Sequence, residues 1–153
     1  EIFTCYRSLK PSGGSLLDIG CGKGFVLWKA SSYSFDRICG IDIDDRLIAI
    51  AERNIRRLGL THTQVLCEDA RLYAFYEDFD CFFFSNPFDM EVFREVIDQI
   101  VLSLKTNPRR ITIIYYHPTC SSYLEGLGIF HKVRVLYDEI RDYQTFIYMG
   151  EIL

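Results

Sequence analysis

The run Leu16-Leu17-Asp18-Ile19-Gly20-Cys21-Gly22-Lys23-Gly24 constrains this chain more than any other stretch. An apolar segment enters it, three alternating glycines interrupt it, and Phe25-Val26-Leu27-Trp28 continues with helix-compatible residues. That order predicts a buried strand, a tight loop and a helix. Glycine tolerates positive φ and lets backbone approach a ligand closely. In an open α/β sheet, such a loop lies beyond the carboxyl end of a strand and receives a nucleotide-like cofactor.

The rest of the chain supplies the sheet. Ile2, Phe3, Tyr6 and Leu9 space like one face of a short helix, stopped by Pro11 and Gly13-Gly14. Strands are expected at 15–19, 37–43, 63–67, 79–85 and 110–116. Helices are expected at 24–32, 44–58 and 90–104, with shorter ones at 71–76 and 120–126. Asp44-Asp45 opens the long second helix and Gly59 stops it. Cys81-Phe82-Phe83-Phe84 is apolar throughout, as a central strand covered on both faces requires. Two last strands, 130–137 and 143–150, have no helix between them and are expected to pair as an antiparallel hairpin.

At 153 residues, one domain (1–153) with a helical lead-in (1–14) is expected. A formal net charge of −4 provides no global attraction to nucleic acid or anionic membrane. Cys5, Cys21, Cys39, Cys67, Cys81 and Cys120 form no Cys-x-x-Cys pair, and four of them sit in or beside strands. They read as small buried hydrophobes rather than as zinc ligands or disulfides, so no metal is expected and a reducing, cytoplasmic compartment is. No apolar run approaches the ~18 residues that span a bilayer, and no signal peptide is visible. The first residue is Glu1 rather than Met, which leaves room for an upstream segment.

The loop spacing discriminates between cofactors. Dinucleotide loops run Gly-x-Gly-x-x-Gly, whereas here Gly24 follows Gly22 by two and Phe25 takes the next position. Asp42 ends the second strand, about 20 residues beyond the first glycine, where a carboxylate accepts from ribose hydroxyls. No second mononucleotide half follows the fifth strand.

Asp18-x-Gly20-x-Gly22-x-Gly24, Gly40-Ile41-Asp42, Glu68-Asp69-Ala70 and Asn86-Pro87-Phe88 occur in order, each at the end of a successive strand. Together they resemble motifs I to IV of class I S-adenosylmethionine (SAM)-dependent methyltransferases. Tyr6-Arg7-Ser8-Leu9, the Gly-Lys-Gly loop and Asn-Pro-Phe also resemble a group of small bacterial methyltransferases. The resemblance implies an α/β, Rossmann-like fold: a seven-stranded, mostly parallel sheet with a C-terminal antiparallel hairpin and helices on both faces. It implies SAM as cofactor. Backbone of Gly20, Cys21, Gly22 and Gly24 would approach its methionine part, with Asp18 on the amino group. Asp42 would take the ribose hydroxyls beside Ile43, and Asp69 and the Ala70 backbone the adenine edge. Asn86 would border both cofactor and acceptor, and Tyr6 and Arg7 would close over SAM from the first helix.

Asn86-Pro87-Phe88 is the motif that addresses the acceptor. Amino-methyltransferases of this superfamily carry Asp/Asn-Pro-Pro-Tyr/Phe, whose polar side chain accepts from the target amine while the aromatic stacks on it. One proline is absent here, so Phe88 comes one position early. The expected function is methyl transfer to an unidentified acceptor (RNA, protein or a small molecule), an amine nitrogen on RNA or protein being favoured. A non-catalytic SAM-binding subunit is the alternative, and a nicotinamide oxidoreductase is disfavoured by Phe25. Lys23 is either a contact for the SAM carboxylate or a solvated residue. His117-Pro118 reads as a strand-end turn, and Arg53-Asn54-Ile55-Arg56-Arg57 and Arg109-Arg110 read as solvated faces.

Overall fold

The computed structural model describes residues 1–152 and divides into two compact units, Glu1–Tyr73 and the residues from Ala74 onward. The first unit contains α1 (Ile2–Leu9), β1 (Ser15–Ile19), α2 (Phe25–Ala30), β2 (Arg37–Asp42), α3 (Asp45–Leu58) and β3 (Thr63–Cys67). Its strands lie in the order β3-β2-β1, all parallel, with Asp18 paired to Gly40 and Gly40 to Val65. Four successive residues of β1 and four of β2 are buried, because helices cover a parallel sheet on its faces. β3 is less covered, and Cys67 at its end is exposed, unlike the buried thiols of Cys21 and Cys39.

Caps set the limits of α3. The Asp44 carboxylate accepts from the N–H groups of Arg46 and Leu47, and Gly59, at φ 61, lets its own N–H return to Ile55 and Arg56 carbonyls. The role expected of α1 does not hold. Tyr6 is fully buried with its ring stacked on Phe35, centroids 5.4 Å apart. Arg7 donates to the carbonyls of Tyr33 (2.6 Å), Lys10 (3.1 Å) and Gly13 (3.0 Å) while its guanidinium lies 4.2 Å above the Phe35 ring. Both side chains fasten α1 to the end of α2 and the approach to β1 instead of closing over a cofactor.

The second unit holds a 3₁₀ turn (Tyr76–Asp78), β4 (Cys81–Ser85), α4 (Met90–Thr106), β5 (Ile111–Tyr116), α5 (Ser121–Gly126), β6 (Phe130–Asp138) and β7 (Tyr143–Gly150). β4 and β5 are parallel. The final hairpin is antiparallel as expected, with β7 inserted between β5 and β6. Gly150 makes that insertion possible, because a Cβ there would come within 2.4 Å of the Phe130 ring opposite it. Phe84 from β4, Phe93 from α4 and Tyr115 from β5 pack ring to ring, with centroids 4.9 to 5.9 Å apart.

Two local expectations fail. The helix at 71–76 is absent: the Asp69 side chain and carbonyl hold Arg71 and Leu72 in a turn, and the one helical turn falls later, at Tyr76–Asp78. Arg109 is not solvated. It donates to the carbonyls of Phe79 (2.8 Å), Tyr76 (2.8 Å), Ser103 (3.2 Å) and Asn107 (3.0 Å), tying the 3₁₀ turn to the end of α4. β4 begins at Cys81 rather than at Phe79, whose N–H closes the 3₁₀ turn on the Tyr76 carbonyl.

Candidate active site

The glycine loop is fastened to β2 at its root. The N–H groups of Gly20 and Cys21 both donate to the Ile41 carbonyl at 2.9 Å, and Gly24 N–H donates to the Cys21 carbonyl at 3.0 Å. Gly20, Gly22 and Gly24 have φ of 80°, 52° and 85°, a region that side chains disfavour. At Gly40 the constraint is space rather than angle. A Cβ there would sit 2.7 Å from both Cβ and Sγ of Cys21 and 2.9 Å from Leu27. Cys21 therefore fills the floor of the loop. Burial, then the charges of Asp18 and Asp42, push its thiol far up, so it stays protonated and unreactive.

Asp18 and Asp42 have opposite environments. Asp42 is anchored: one carboxylate oxygen accepts from Gly22 N–H at 2.9 Å and the other from Asp44 N–H at 3.0 Å. Asp18 is 1% exposed, and among the described residues neither of its oxygens has a hydrogen-bond partner. Burial first, and the Asp42 charge second, push its carboxyl up to about 8. A buried carboxyl without a partner is costly unless a donor arrives from outside the chain. A ligand's primary ammonium is one donor that would satisfy it. A Cβ at Gly22 would meet nothing within 4 Å, so there is open space above the loop. Ile43, next to Asp42, is 68% exposed and offers an apolar shelf.

Beyond β3, Glu68 N–H donates to the Asp42 carbonyl at 3.0 Å, which brings the Glu68-Asp69-Ala70 corner to the same strand ends. The Asp69 carboxylate accepts two bonds from the Arg71 guanidinium, at 3.1 and 2.7 Å, and one from Arg71 N–H. Those bonds hold its carboxyl below the usual range. Ala70 is buried.

Asn86-Pro87-Phe88 belongs to the second unit and is half-buried. Asn86 adopts φ 46°, and its Oδ1 accepts from Thr119 Oγ1 at 2.6 Å and, at a longer 3.4 Å, from the Tyr115 hydroxyl. Tyr115 in turn accepts from Cys120 N–H at 3.2 Å, and burial pushes its phenol up to about 12, so it keeps the proton it donates. His117, at φ 51°, stacks on Tyr143 with centroids 3.9 Å apart. The sequence reading missed Tyr115, Thr119 and Tyr143. Only their place just after or beside the end of β5 could have suggested them.

Parallel strands whose first crossover is a glycine loop flanked by two carboxylates define the cofactor end of a Rossmann-like α/β fold. Residues 16–107 match the methyltransferase domain family, and this chain belongs to that family. Among curated proteins it is 32% identical over 57 residues to the ribosomal protein L11 methyltransferase of Thermotoga maritima, covering 37% of this chain and 21% of that protein. It is 41% identical over 44 residues to the rRNA N(6)-adenosine-methyltransferase metl-5 of Caenorhabditis elegans, covering 28% of this chain and 21% of that protein. The matched stretches thus span about a fifth of those curated relatives. Among solved structures, the ribosomal protein L11 methylase of Lactobacillus delbrueckii superposes with a TM-score of 0.75 at 14% identity, covering 99% of this chain and 77% of that one. The N-methyltransferase NodS of Bradyrhizobium japonicum, solved with S-adenosyl-L-homocysteine (SAH), gives 0.69 at 19% identity over 98% and 84%. These likenesses establish the fold as the Rossmann-like methyltransferase fold.

Proposed function

We propose that this chain is a SAM-dependent methyltransferase whose acceptor is an amine nitrogen on RNA or protein. The observation that carries the reading is the unlike pair Asp18 and Asp42. The first is a buried carboxyl that a ligand ammonium would complete. The second is a carboxylate held by two backbone N–H groups, with lone pairs left for a ribose diol. The backbone of Gly20, Cys21, Gly22 and Gly24 borders the methionine part, and Ile43 supports the adenine. Asp69 offers a remaining lone pair to the adenine amino group beside the Ala70 backbone.

SAM supplies an electrophilic methyl group on a sulfonium whose leaving group is a neutral thioether. The chain's task is then positioning, because in-line alignment of nucleophile and methyl supplies much of the rate. Asn86 presents its carboxamide in one orientation, set by Thr119 and Tyr115, and Phe88 offers a ring for a planar acceptor to stack on. Asn86, Pro87 and Phe88 are the catalytic segment of this reading.

Thr119 already donates to Asn86 Oδ1, and that observation favours a second reading, a non-catalytic SAM-binding subunit. One experiment separates the two. Labelled SAM is incubated with the chain and cell extract divided into RNA, DNA, protein and small-molecule pools. Label in one pool supports transfer; SAH binding by calorimetry without label in any pool supports the subunit; failure to bind either SAM or SAH overturns both. All six cysteines are free, and among the described residues no helix is long and apolar enough to cross a membrane. We place the activity in the cytoplasm on the free thiols.

A further inference from the structure

We infer that the outer face of α2, with the adjoining turns of α3, is a docking surface for single-stranded RNA. α2 turns Leu27 and Ala30 inward, which leaves Phe25, Trp28 and Lys29 together on its solvent side at i, i+3 and i+4. Phe25 is 64% exposed and Trp28 42%, in edge-to-face contact with centroids 5.8 Å apart. Lys29 Nζ lies 4.2 Å above the Trp28 ring. Two exposed aromatic rings are an unusual solvent face for a helix whose opposite side already packs in the core.

The neighbouring charges name the occupant. Asn54 of α3 donates to the Lys23 carbonyl at 2.9 Å, and the Cβ position of Gly24 lies 3.5 Å from Ala51, so the start of α2 rests on the middle of α3. Arg57 is one turn beyond Asn54 and Arg53 is beside it, both exposed and, among the described residues, in no ion pair. Across 23–29 and 52–58 the cations Lys23, Lys29, Arg53, Arg56 and Arg57 face the single carboxylate of Glu52, on a chain whose net charge is −4. Each group alone is an ordinary solvated residue. Carried on α2 and on the helix it rests against, they match a partner with planar faces and a phosphate at every step: bases stack on the rings while the cations follow the backbone. Duplex nucleic acid hides its base faces, so the partner is single-stranded. The choice of RNA rests on the proposed RNA acceptor.

Trp28 is the only tryptophan, so its emission reports on this surface alone. The intact chain, saturated with SAH, is titrated with an adenylate oligoribonucleotide of about a dozen residues, within the usual length of a single-strand site. Quenching is expected, with an affinity that falls between about 50 and about 200 mM salt along a log–log slope near −0.7 per cation engaged. Phe25→Ser should weaken binding about 10-fold or more. The Arg53→Glu/Arg57→Glu double variant should weaken it and flatten the slope by about 1.4. SAH calorimetry on each variant checks the fold. Absence of quenching with SAH binding intact overturns this inference and leaves the methyltransferase reading standing; loss of SAH binding by the parent chain overturns that reading instead. Quenching that ignores salt, or is matched by duplex RNA or exceeded by the DNA oligomer of the same sequence, also overturns the inference.

Discussion

Asn86 and His117 leave two neighbouring parallel strands at the same level. Ser85 is paired with Tyr116, and the next residue of each strand turns left-handed, at φ 46° and 51°. Neither is glycine, and a left-handed non-glycine residue costs of order 1 kcal/mol, which its surroundings must offset. Here they do. Thr119 and Tyr115 hold the Asn86 carboxamide, while a 2.8 Å bond from His117 N–H to the Gln144 carbonyl and the ring of Tyr143 hold His117. Two constrained residues side by side, one of them in the proposed acceptor motif, point to a place where geometry is maintained for use.

Asn86→Ala should therefore lower methyl transfer by about 100-fold, the scale of a misplaced reactant, while SAH affinity by calorimetry changes little. Thr119→Val should lower transfer through the lost hydroxyl, and Thr119→Ser should restore it. Asn86→Gly should lower transfer to a similar extent and also lower the unfolding midpoint, because the lost Thr119 and Tyr115 bonds and the freer unfolded chain outweigh the relieved left-handed backbone. Full turnover by Asn86→Ala would remove Asn86 from the acceptor site.

On the proposed reading, Asp18 should make cofactor binding pH-dependent. Its carboxyl, raised to about 8 in the free chain, must ionise to meet a ligand ammonium. Below pH 8, SAM or SAH binding should then release about one proton, read as calorimetric enthalpies that vary with the ionisation heat of the buffer. Affinity should climb from pH 6 toward pH 8 and fall above it, as the ligand's own α-amino group (pKa of about 8) loses its charge. Asp18→Asn should bind weakly and release no proton.

The same group sets a stability trend of the opposite sign to a salt-bridged carboxylate. The folded chain holds the Asp18 proton more tightly than the unfolded chain does. Its contribution to stability is fully present below the ordinary carboxylate value of 3.8 and is lost as pH rises toward about 8. Asp18→Asn removes that loss. Without ligand, its melting temperature should exceed the parent's by more at pH 9 than at pH 5, with SAH narrowing the gap. Equal differences at the two pH values would contradict the buried, unpartnered state of Asp18.

Two arginines act as staples. Arg109→Ala takes one donor from each of the carbonyls of Tyr76, Phe79, Ser103 and Asn107, and Arg7→Ala does the same to Tyr33, Lys10 and Gly13. Each should cost about 2–4 kcal/mol in denaturant unfolding, and the lysine variants should recover only part of it.

Gly40→Ala should distort the glycine loop from below. Its new Cβ, 2.7 Å from Cys21, forces the loop or β2 to move, costing about 1–3 kcal/mol and weakening SAH binding more than Gly59→Ala, whose Cβ meets nothing.

What the sequence determined by itself is whatever rests on near neighbours or on period. The alternating glycines, the Asp44 and Gly59 caps of α3, the fully apolar Cys81–Phe84 segment and, apart from the absent helix at 71–76, the order of strands and helices are of this kind and appear as expected, as does the antiparallel closing hairpin. Tertiary structure alone decided the rest. Arg7 reads in the sequence as a residue over the cofactor and Arg109 as a surface cation, because the Tyr33, Tyr76 and Phe79 carbonyls that they bind reach them only after the chain has folded back. The Asn86 carboxamide is oriented by Tyr115 and Thr119, 29 and 33 positions away, and no spacing rule links residues that meet only because β4 and β5 lie side by side. The glycine loop is legible as a place for a ligand, but the buried, unpartnered Asp18 emerges only once β1 is enclosed. An aspartate in a sequence carries no mark of how much water folding will leave it.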